Sequence, residues 1–319
     1  MLISVVVPIF NEGATISELH RRLSAVMADL PEDYELVYVN DGSRDSSGQQ
    51  LRELVAADPH ARLIDFSRNF GHQIAITAGM DHARGDAVVV IDADLQDPPE
   101  LIPELVAKWR DGYDVVYAVR ERREGDSLFK RATAAMFYRL IARITNVEIP
   151  VDTGDFRLMS RRAIEGLKLI RERNRFVRGL VAWLGYRQTG VTFVRHERFA
   201  GETKYPLKKM LRFAFDGITS FSFLPLQLAM YLGFLVSFVS FLGVLYVVYL
   251  RLFTHETILG WASLMTAILF LGGVQLITLG IIGEYVGRIY DEAKGRPLYL
   301  TQDVLGFDRE AGNRPSLKS

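Results

Sequence analysis

The amino-acid sequence predicts an α/β fold, with a mostly parallel sheet between layers of helices, followed by a hairpin of two membrane-spanning helices. Within the first 120 residues, short β-branched apolar runs alternate with segments of helical apolar spacing. Repeated βα units of this kind build parallel sheets that are covered on both faces. Residues 224–250 and 258–283 contain no charged side chain, and each stretch exceeds the roughly 20 residues that cross a bilayer.

The alternation can be followed element by element. Strands are predicted at 2–8, 34–39, 62–66, 87–91 and 114–118, and helices at 11–30, 46–57, 73–83 and 99–110. Polar residues follow the strands, and in open α/β sheets ligands bind at the carboxyl ends of the strands. The sequence therefore predicts a polar site made by the loops at this edge.

Composition limits the class of function. The 38 basic and 38 acidic side chains give zero net charge, so no nucleic-acid partner is expected. The absence of cysteine excludes disulfides and thiolate metal sites, and it is consistent with a reducing compartment. The apolar run at 2–10 is too short to span a membrane and has no basic residues before it, unlike a signal peptide.

The strand predicted at 87–91 runs directly into a row of oxygen-bearing side chains, Asp92, Asp94 and Gln96. In extended geometry these three side chains point the same way. Carboxylate and amide oxygens in such a row suit Mg²⁺ or Mn²⁺. The alternative is an Asp-rich turn that caps the helix predicted at 99–110.

Four motifs carry a resemblance to a known family: VVVPIFNEG at 5–13, VNDGSRDSS at 39–47, SRNFGHQIAITAGMDHARGD at 67–86 and IDADLQDPPE at 91–100. The chain resembles the inverting glycosyltransferases of family 2. More narrowly, it is similar to the polyprenyl-phosphate glycosyltransferases, which include dolichyl-phosphate mannose synthases and the bacterial GtrB-type and ArnC-type enzymes. The resemblance covers nearly the whole chain and implies the nucleotide-sugar-binding fold called GT-A.

The resemblance implies roles for the polar loops. Asp41 matches an aspartate that contacts the nucleotide base, with an Asx-turn or a helix cap as the alternative. Asp92 lies near the ribose and the metal, whereas Asp94 and Gln96 are the principal metal ligands, and Asp94 is assigned to catalysis. Another wall of the nucleotide pocket consists of Pro8, Phe10, Asn11 and Glu12, although Phe10 alone could belong to the core.

Asp155 lies in a Gly-Asp-Phe-Arg cluster at 154–157, where dolichyl-phosphate mannose synthases usually have Ser-Gly-Phe-Arg. GtrB-type members share this departure. In many family 2 enzymes an aspartate here is the general base, but a phosphate monoester, with a second pKa of roughly 6, is already largely ionised at neutral pH. Asp155 is therefore expected to act as a base, to position the acceptor or the metal, or to be structural. Arg157 is assigned to phosphate binding.

Basic residues supply further candidates. Arg120, after the strand at 114–118, occupies the position of a substrate-binding arginine in the family. Segments 127–146 and 203–221 combine apolar and basic residues as amphipathic helices at an anionic bilayer surface do; packing onto the sheet is the alternative for the first. The resemblance makes Arg131 and Lys204 candidates for phosphate binding, and a role in fixing topology is the alternative for Lys204.

The predicted domains are a catalytic domain at 1–200, an interfacial linker at 201–222, two transmembrane helices at 223–287 and a tail at 288–319. By the positive-inside rule, the catalytic domain and both termini lie in the cytoplasm, at the inner membrane. Two spans make a small platform, so a homo-oligomer is expected. The basic residues that set this orientation are Lys204, Lys208, Lys209 and Arg212 before the hairpin and Arg288, Lys294 and Arg296 after it.

The expected activity is metal-dependent, inverting hexosyl transfer. The phosphate of a polyprenyl phosphate, such as undecaprenyl phosphate, attacks the anomeric carbon of a nucleotide sugar. The GtrB-type resemblance favours UDP-glucose, with mannose or an aminoarabinose derivative as alternatives. A processive polysaccharide synthase is disfavoured because no Gln-x-x-Arg-Trp motif is present. The non-enzymatic alternative, a membrane-tethered nucleotide-sugar sensor, is disfavoured by the intact Asp92, Asp94 and Gln96.

Overall fold

A computed structural model describes residues 1–120, 153–193, 224–249, 252–253 and 260–307. The chain divides into two compact units, of which one is an α/β domain and the other contains two long apolar helices. The predicted amphipathic helices at 127–146 and 203–221, with Arg131 and Lys204, lie outside the described residues.

One mixed sheet forms the centre of the α/β domain. Its strands are β1 (Leu2–Ile9), β2 (Asp33–Asn40), β3 (Ala61–Phe66), β4 (Ala87–Val90), β5 (Val115–Arg120), β6 (Thr153–Ser160), β7 (Gln188–Phe193) and β8 (Thr301–Leu305). Their order is β7-β5-β6-β4-β1-β2-β3-β8. The pairs β1–β2, β1–β4, β2–β3 and β5–β7 are parallel, whereas β6 is antiparallel to both neighbours and β8 to β3. The prediction of a mostly parallel sheet is confirmed.

Helices connect the strands. They are α1 (Ile16–Ala28), α2 (Ser47–Ala57), α3 (His72–His82), α4 (Ile102–Arg110), α5 (Arg161–Leu169) and α6 (Val177–Trp183), with a 3₁₀ turn at Pro99–Leu101. Helix α1 begins later than the predicted residue 11 because side chains of the neighbouring loop bind the backbone N–H groups there. The N–H of Glu12 donates to Ser47 Oγ (3.0 Å) and that of Gly13 to Asp45 Oδ2 (3.1 Å).

Burial explains the apolar patterns. β4 is buried at every position, and β1 at every position after Leu2, as expected for strands covered on both faces. Helix α1 buries a stripe at helical spacing, Ile16, Leu19, Leu23 and Met27. Each fully buried Leu or Ile side chain contributes roughly 1.5–3 kcal/mol relative to an exposed one.

β8 comes from the segment predicted as a tail. It follows the second long helix in sequence and extends along the edge of β3. Arg52 Nη2 donates to Asp65 Oδ2 (2.5 Å) and to Asp303 Oδ2 (2.7 Å), which ties the two strands together. No apolar alternation marks these five residues, so the sequence did not predict the strand.

The second unit contains helices α7 (Leu224–Tyr249) and α8 (Trp261–Ala293), each long and apolar enough to cross a membrane. The prediction of two apolar helices is confirmed. α8 continues beyond the uncharged stretch 258–283 into polar turns, where Arg288 Nε donates to Glu284 Oε1 (3.0 Å). Most described side chains of both helices are exposed.

Candidate functional site

A pocket of about 170 Å³ opens at the carboxyl ends of β1 and β2. This is the edge at which the polar loops were predicted to meet. Phe10 is 44% exposed, so an aromatic ring is available at the pocket to a ligand. The lining residues are Pro8, Ile9, Phe10, Asp41, Asn69, Gly71, His72 and Ala75.

Asn11 and Glu12 support this pocket from the adjacent loop and do not line it. Asn11 adopts a left-handed conformation, with a φ of 56°. Its N–H donates to Ser43 Oγ (3.0 Å), and its Oδ1 accepts from the N–H of Arg44 (2.8 Å). These contacts, with that of Glu12 to Ser47, join the loops after β1 and β2 into one wall.

Asp41, directly after β2, is buried and holds the loop that precedes α3. Its carboxylate accepts hydrogen bonds from the N–H groups of Phe70 (2.6 Å) and Gly71 (3.0 Å) and from Asn69 Nδ2 (2.9 Å). Burial raises the pKa of Asp41, and the backbone donors of Phe70 and Gly71 oppose that shift. Asp41 therefore shapes the pocket that it also lines, and its contact with a nucleotide base stays a prediction.

The row after β4 is a turn, as one arrangement considered from sequence has it, but its polar side chains stay accessible, as in the other. Asp92, Asp94 and Gln96 are partly exposed, whereas Ala93 and Leu95 between them are buried. The backbone is not extended throughout, because Leu95 has a φ of 60° and the N–H of Gln96 donates to Asp94 Oδ1 (3.1 Å). The row is thus a turn that keeps its three polar side chains accessible.

The helix-capping alternative is not observed, since no side chain caps the 3₁₀ turn at Pro99–Leu101. Asp97 is instead buried, and its Oδ1 lies 3.8 Å from Nη2 of Arg120. Gly154 makes room for this arginine, because a Cβ there would lie 2.7 Å from Arg120 Nη2. The predicted Arg120 therefore lies beside Asp97, the residue that follows the row of Asp92, Asp94 and Gln96.

Asp155 reaches the same region because β6 lies next to β4 in the sheet. It is 5% exposed. Arg178 Nε donates to its Oδ1 (2.8 Å), while His72 Nε2 (3.1 Å) and Gln73 Nε2 (3.3 Å) contact its Oδ2. His72 Nε2 also lies 3.5 Å from Asp92 Oδ1. His72 thus connects the row after β4 to Asp155.

The pKa values of Asp155 and Asp92 shift in opposite directions. Burial acts to raise the pKa of Asp155, but His72, Arg178 and Arg157 outweigh it and hold that pKa well below its usual range. Burial raises the pKa of Asp92 to about 6, against the opposing charge of His72. Burial lowers the pKa of His72, yet the hydrogen bond to Asp155 and the charge of Asp92 prevail and raise it.

Arg157, which the resemblance assigned to phosphate binding, lies in the interior of the α/β domain. Its side chain is buried, its Nη2 donates to the carbonyl oxygen of Gly154 (2.9 Å), and it lies 4.0 Å from Asp155 Oδ1. Burial lowers its pKa to about 10. Within the described residues Arg157 thus lies among groups of the protein interior, and phosphate binding by Arg157 stays a prediction.

The donor atoms fit a divalent cation. His72, Asp92 and Asp155 each place one ligand atom within 4.8 Å of the others. Asp92 Oδ1 is buried and accepts no hydrogen bond within the described part of the chain. Asp92 belongs both to this cluster and to the predicted row with Asp94 and Gln96. Asp155 is the weaker ligand of the cluster, because its oxygens already accept hydrogen bonds.

Sequence reasoning assigned no role to three residues of this site: His72, Gln73 and Arg178. The first two lie in the quoted motif at 67–86, so their position at the start of a helix was a usable signal. Arg178 is 23 residues from Asp155, and no spacing rule connects a side chain on α6 to one on β6. Only the folded arrangement identifies it.

Two family models match the chain, "Glycosyl transferase family 2" at residues 4–167 and "GtrB C-terminal hairpin" at 224–289. The uncharacterized glycosyltransferase YkcC of Bacillus subtilis (strain 168) is 58% identical over 307 residues, covering 96% of this chain and 95% of that protein. The bactoprenol glucosyl transferase of Shigella phage SfV is 44% identical over 303 residues, covering 95% and 99%. Among solved structures, glucosyl-3-phosphoglycerate synthase from Mycobacterium tuberculosis, crystallised with Mn²⁺, UDP-glucose and phosphoglyceric acid, is 22% identical, with 69% and 79% coverage and a TM-score of 0.45.

Proposed function

The chain belongs to glycosyltransferase family 2, and we propose that it transfers glucose from UDP-glucose to the phosphate of a polyprenyl phosphate, with inversion at the anomeric carbon. Its α/β domain has the GT-A fold. The observation that carries the proposal is the 44% identity, over 95% of the chain, to a bactoprenol glucosyl transferase. The match of residues 224–289 to the GtrB hairpin supports the same acceptor.

The pocket beside β1 and β2 supports binding of a nucleotide sugar. It offers the partly exposed ring of Phe10 as a surface on which a base can stack. Asp41 supports that binding by holding the 69–71 loop in place, and the Asp92 row lies at the same edge of the sheet. The base would therefore occupy the pocket while the diphosphate extends toward the acids.

A divalent cation, Mg²⁺ or Mn²⁺, would be held by Asp92, Asp94 and Gln96, with His72 close to Asp92. Oxygen donors of this kind suit both ions. The buried Asp92 Oδ1, which accepts no hydrogen bond among the described residues, supports a cation at this point. When bound, the ion neutralises charge on the diphosphate leaving group.

The reaction needs no proton transfer from the acceptor. An oxygen of the acceptor phosphate forms a bond to the anomeric carbon, the bond from that carbon to the diphosphate breaks, and UDP leaves with the electron pair. Because the acceptor is already largely ionised at neutral pH, a general base adds little. A carboxylate whose pKa is held as low as that of Asp155 is also a poor proton acceptor. Asp155 would instead orient the acceptor or the metal.

A lipid acceptor accounts for the two apolar helices. A polyprenyl tail stays in the bilayer, so an enzyme that uses its phosphate gains from membrane attachment. Two spanning helices would make the protein multi-pass. By the positive-inside rule its catalytic domain and both termini are cytoplasmic. A homo-oligomer also remains a prediction, and a monomer in native mass spectrometry from mild detergent would contradict it.

The deciding experiment is radiolabel transfer to undecaprenyl phosphate from a panel of nucleotide sugars, with Mg²⁺, with Mn²⁺ and with chelator. We expect a lipid product from UDP-glucose that chelator abolishes. Asp94→Ala should lower turnover on the order of 100-fold or more, whereas Asp29→Ala, an exposed carboxylate at the end of α1, should not. If only another nucleotide sugar gave a product, the assignment of UDP-glucose as the donor would be wrong. Nucleotide binding without any product would favour the sensor alternative.

A further inference from the structure

Arg178 joins two parts of the site that the proposed reaction requires to be rigid. Its Nε donates to Asp155 Oδ1 (2.8 Å), and its Nη1 donates to the carbonyl oxygen of Thr153 (3.0 Å). One planar guanidinium therefore holds both a side chain and the backbone of the same strand, two residues apart. A lysine, with a single nitrogen, cannot reproduce this fork.

Gln73 fixes the element that carries Arg178. Its Oε1 accepts from the N–H of Val177 (2.9 Å), at the start of α6, and its Nε2 donates to Asp155 Oδ2 (3.3 Å). Since Gln73 itself lies in the first turn of α3, the starts of α3 and α6 are both tied to the start of β6. Asp155 is the point at which these ties meet.

The two sides of the Asp155 carboxylate consequently have different partners. Oδ1 is held by Arg178, while Oδ2 is in contact with His72 and Gln73. Free rotation of the carboxylate would break these bonds in a buried environment, where an unsatisfied charged group is costly. The carboxylate therefore has one preferred orientation, with Oδ2 toward His72 and the Asp92 side of the site.

We propose that Arg178 is a positioning residue of the glycosyl-transfer site, which acts through Asp155 by fixing the orientation of its carboxylate. The inference rests on the proposed function, because it assumes that Asp155 orients the acceptor or the metal. Misplacement of a reacting or orienting group by about 1 Å can cost 100-fold in rate, so loss of Arg178 should lower kcat while binding of the donor persists.

A double-mutant cycle tests the proposal in the full-length protein: wild type, Arg178→Gln, Asp155→Asn and the double variant. We expect Arg178→Gln to lower kcat by about 10- to 100-fold with the KM for UDP-glucose changed less than about threefold. The double variant should be no slower than Asp155→Asn alone, because the proposal has Arg178 affect the reaction through the carboxylate of Asp155. Arg178→Lys should rescue only part of kcat. Effects that multiply, or a rise in KM with kcat unchanged, would overturn the proposal.

The thermal unfolding midpoints of the same four proteins give a readout that does not depend on catalysis. Arg178→Gln leaves a buried carboxylate without its guanidinium, so its midpoint should fall. Adding Asp155→Asn should restore most of that loss, whereas additive losses would contradict coupling. Arg162→Gln, which breaks an exposed pair with Asp114, is the matched control and should leave kcat unchanged. If the wild type transfers no sugar, the proposed function fails, and the midpoints still decide whether Arg178 acts on Asp155.

Discussion

The loop held by Asp41 and the cluster around Asp155 both contact the start of α3, and each rests on a buried carboxylate. Asp41 binds uncharged donors, the N–H groups of Phe70 and Gly71 and the amide of Asn69. Asp155 is in contact with charged groups, among them Arg178. The pKa of Asp41 is raised by burial, whereas that of Asp155 is held low by its neighbours.

The different partners suggest different tasks: Asp41 shapes the pocket, whereas Asp155 takes part in the chemistry of the proposed reaction. Uncharged donors to Asp41 hold its loop in place as one wall of the pocket. The charged partners of Asp155 and the nearby Asp92 create a strong field where charge develops during the proposed reaction, which is where electrostatic stabilisation has most effect. Removal of each carboxylate should therefore have a different consequence.

Replacing each carboxylate by its amide gives the largest expected contrast. Asp155→Asn should lower kcat on the order of 100-fold, because the charge that orders the site is removed. Asp41→Asn should instead lower the unfolding free energy by about 1–2 kcal/mol. The reason is that the NH₂ group of the amide replaces one acceptor oxygen and would face the N–H donors of the loop. This variant should also raise the KM for the nucleotide sugar. Steady-state kinetics and denaturant unfolding of both variants measure the contrast. Equal losses of kcat would show that the two sites are not separable.

Glycines in the Asp41 loop allow a test that leaves both carboxylates intact. Gly42 has a φ of +66°, and a Cβ there would lie 2.5 Å from backbone atoms of Arg68 and Asn69. Gly42→Ala should cost about 2 kcal/mol, from backbone strain and the clash together. Gly71→Ala tests backbone strain without a clash, since its φ of +105° and ψ of 150° favour glycine but nothing lies within 4 Å of its Cβ position. Urea unfolding of both variants measures the losses, and a loss for Gly42→Ala below about 1 kcal/mol would contradict close packing of the loop on Gly42.

The raised pKa of Asp41 predicts a pH dependence with a definite sign. The folded protein binds the proton of Asp41 more tightly than the unfolded chain does, so the contribution of this carboxyl to stability is complete below its unfolded pKa of about 4 and is lost as pH rises through the folded pKa. The midpoint of the wild type relative to Asp41→Asn should therefore fall from pH 4 toward pH 7. Thermal scans across this range measure it, with Asp29→Asn as the control for loss of an exposed carboxylate. A relative midpoint that rises with pH would contradict the assigned shift.

The smallest expected effect lies at the other end of α3. Tyr299 Oη donates to Asp81 Oδ2 (3.0 Å), and its ring stacks on Phe66 at 5.2 Å between centroids. Tyr299→Phe removes only the hydrogen bond, so the unfolding free energy should fall by about 1 kcal/mol. The values of kcat and KM should not change. A loss of kcat would show that the C-terminal end of α3 also controls the site.

Much of the fold could be predicted because its signals are local. The five strands of the first 120 residues were each placed within two residues of the observed bounds. Runs of β-branched apolar residues followed by polar loops are sufficient for that, since βα units pack in one predominant way. The two apolar helices were equally evident, because a length of uncharged chain is a property of the sequence alone. The accessible row Asp92, Asp94 and Gln96 follows from the same local alternation.

Tertiary structure alone decided which side chains meet. β6 runs antiparallel between β4 and β5, and this brings Asp155 to His72, 83 residues away in sequence. The buried state of Arg157, the role of Arg178 and the return of Asp303 to the sheet edge likewise depend on strand order. The sequence by itself determined the elements and the chemical types at their ends, because propensity and hydrophobic period act over a few residues. Partners and pKa shifts depend on distances of a few ångströms between remote segments, and packing of the whole domain sets those distances.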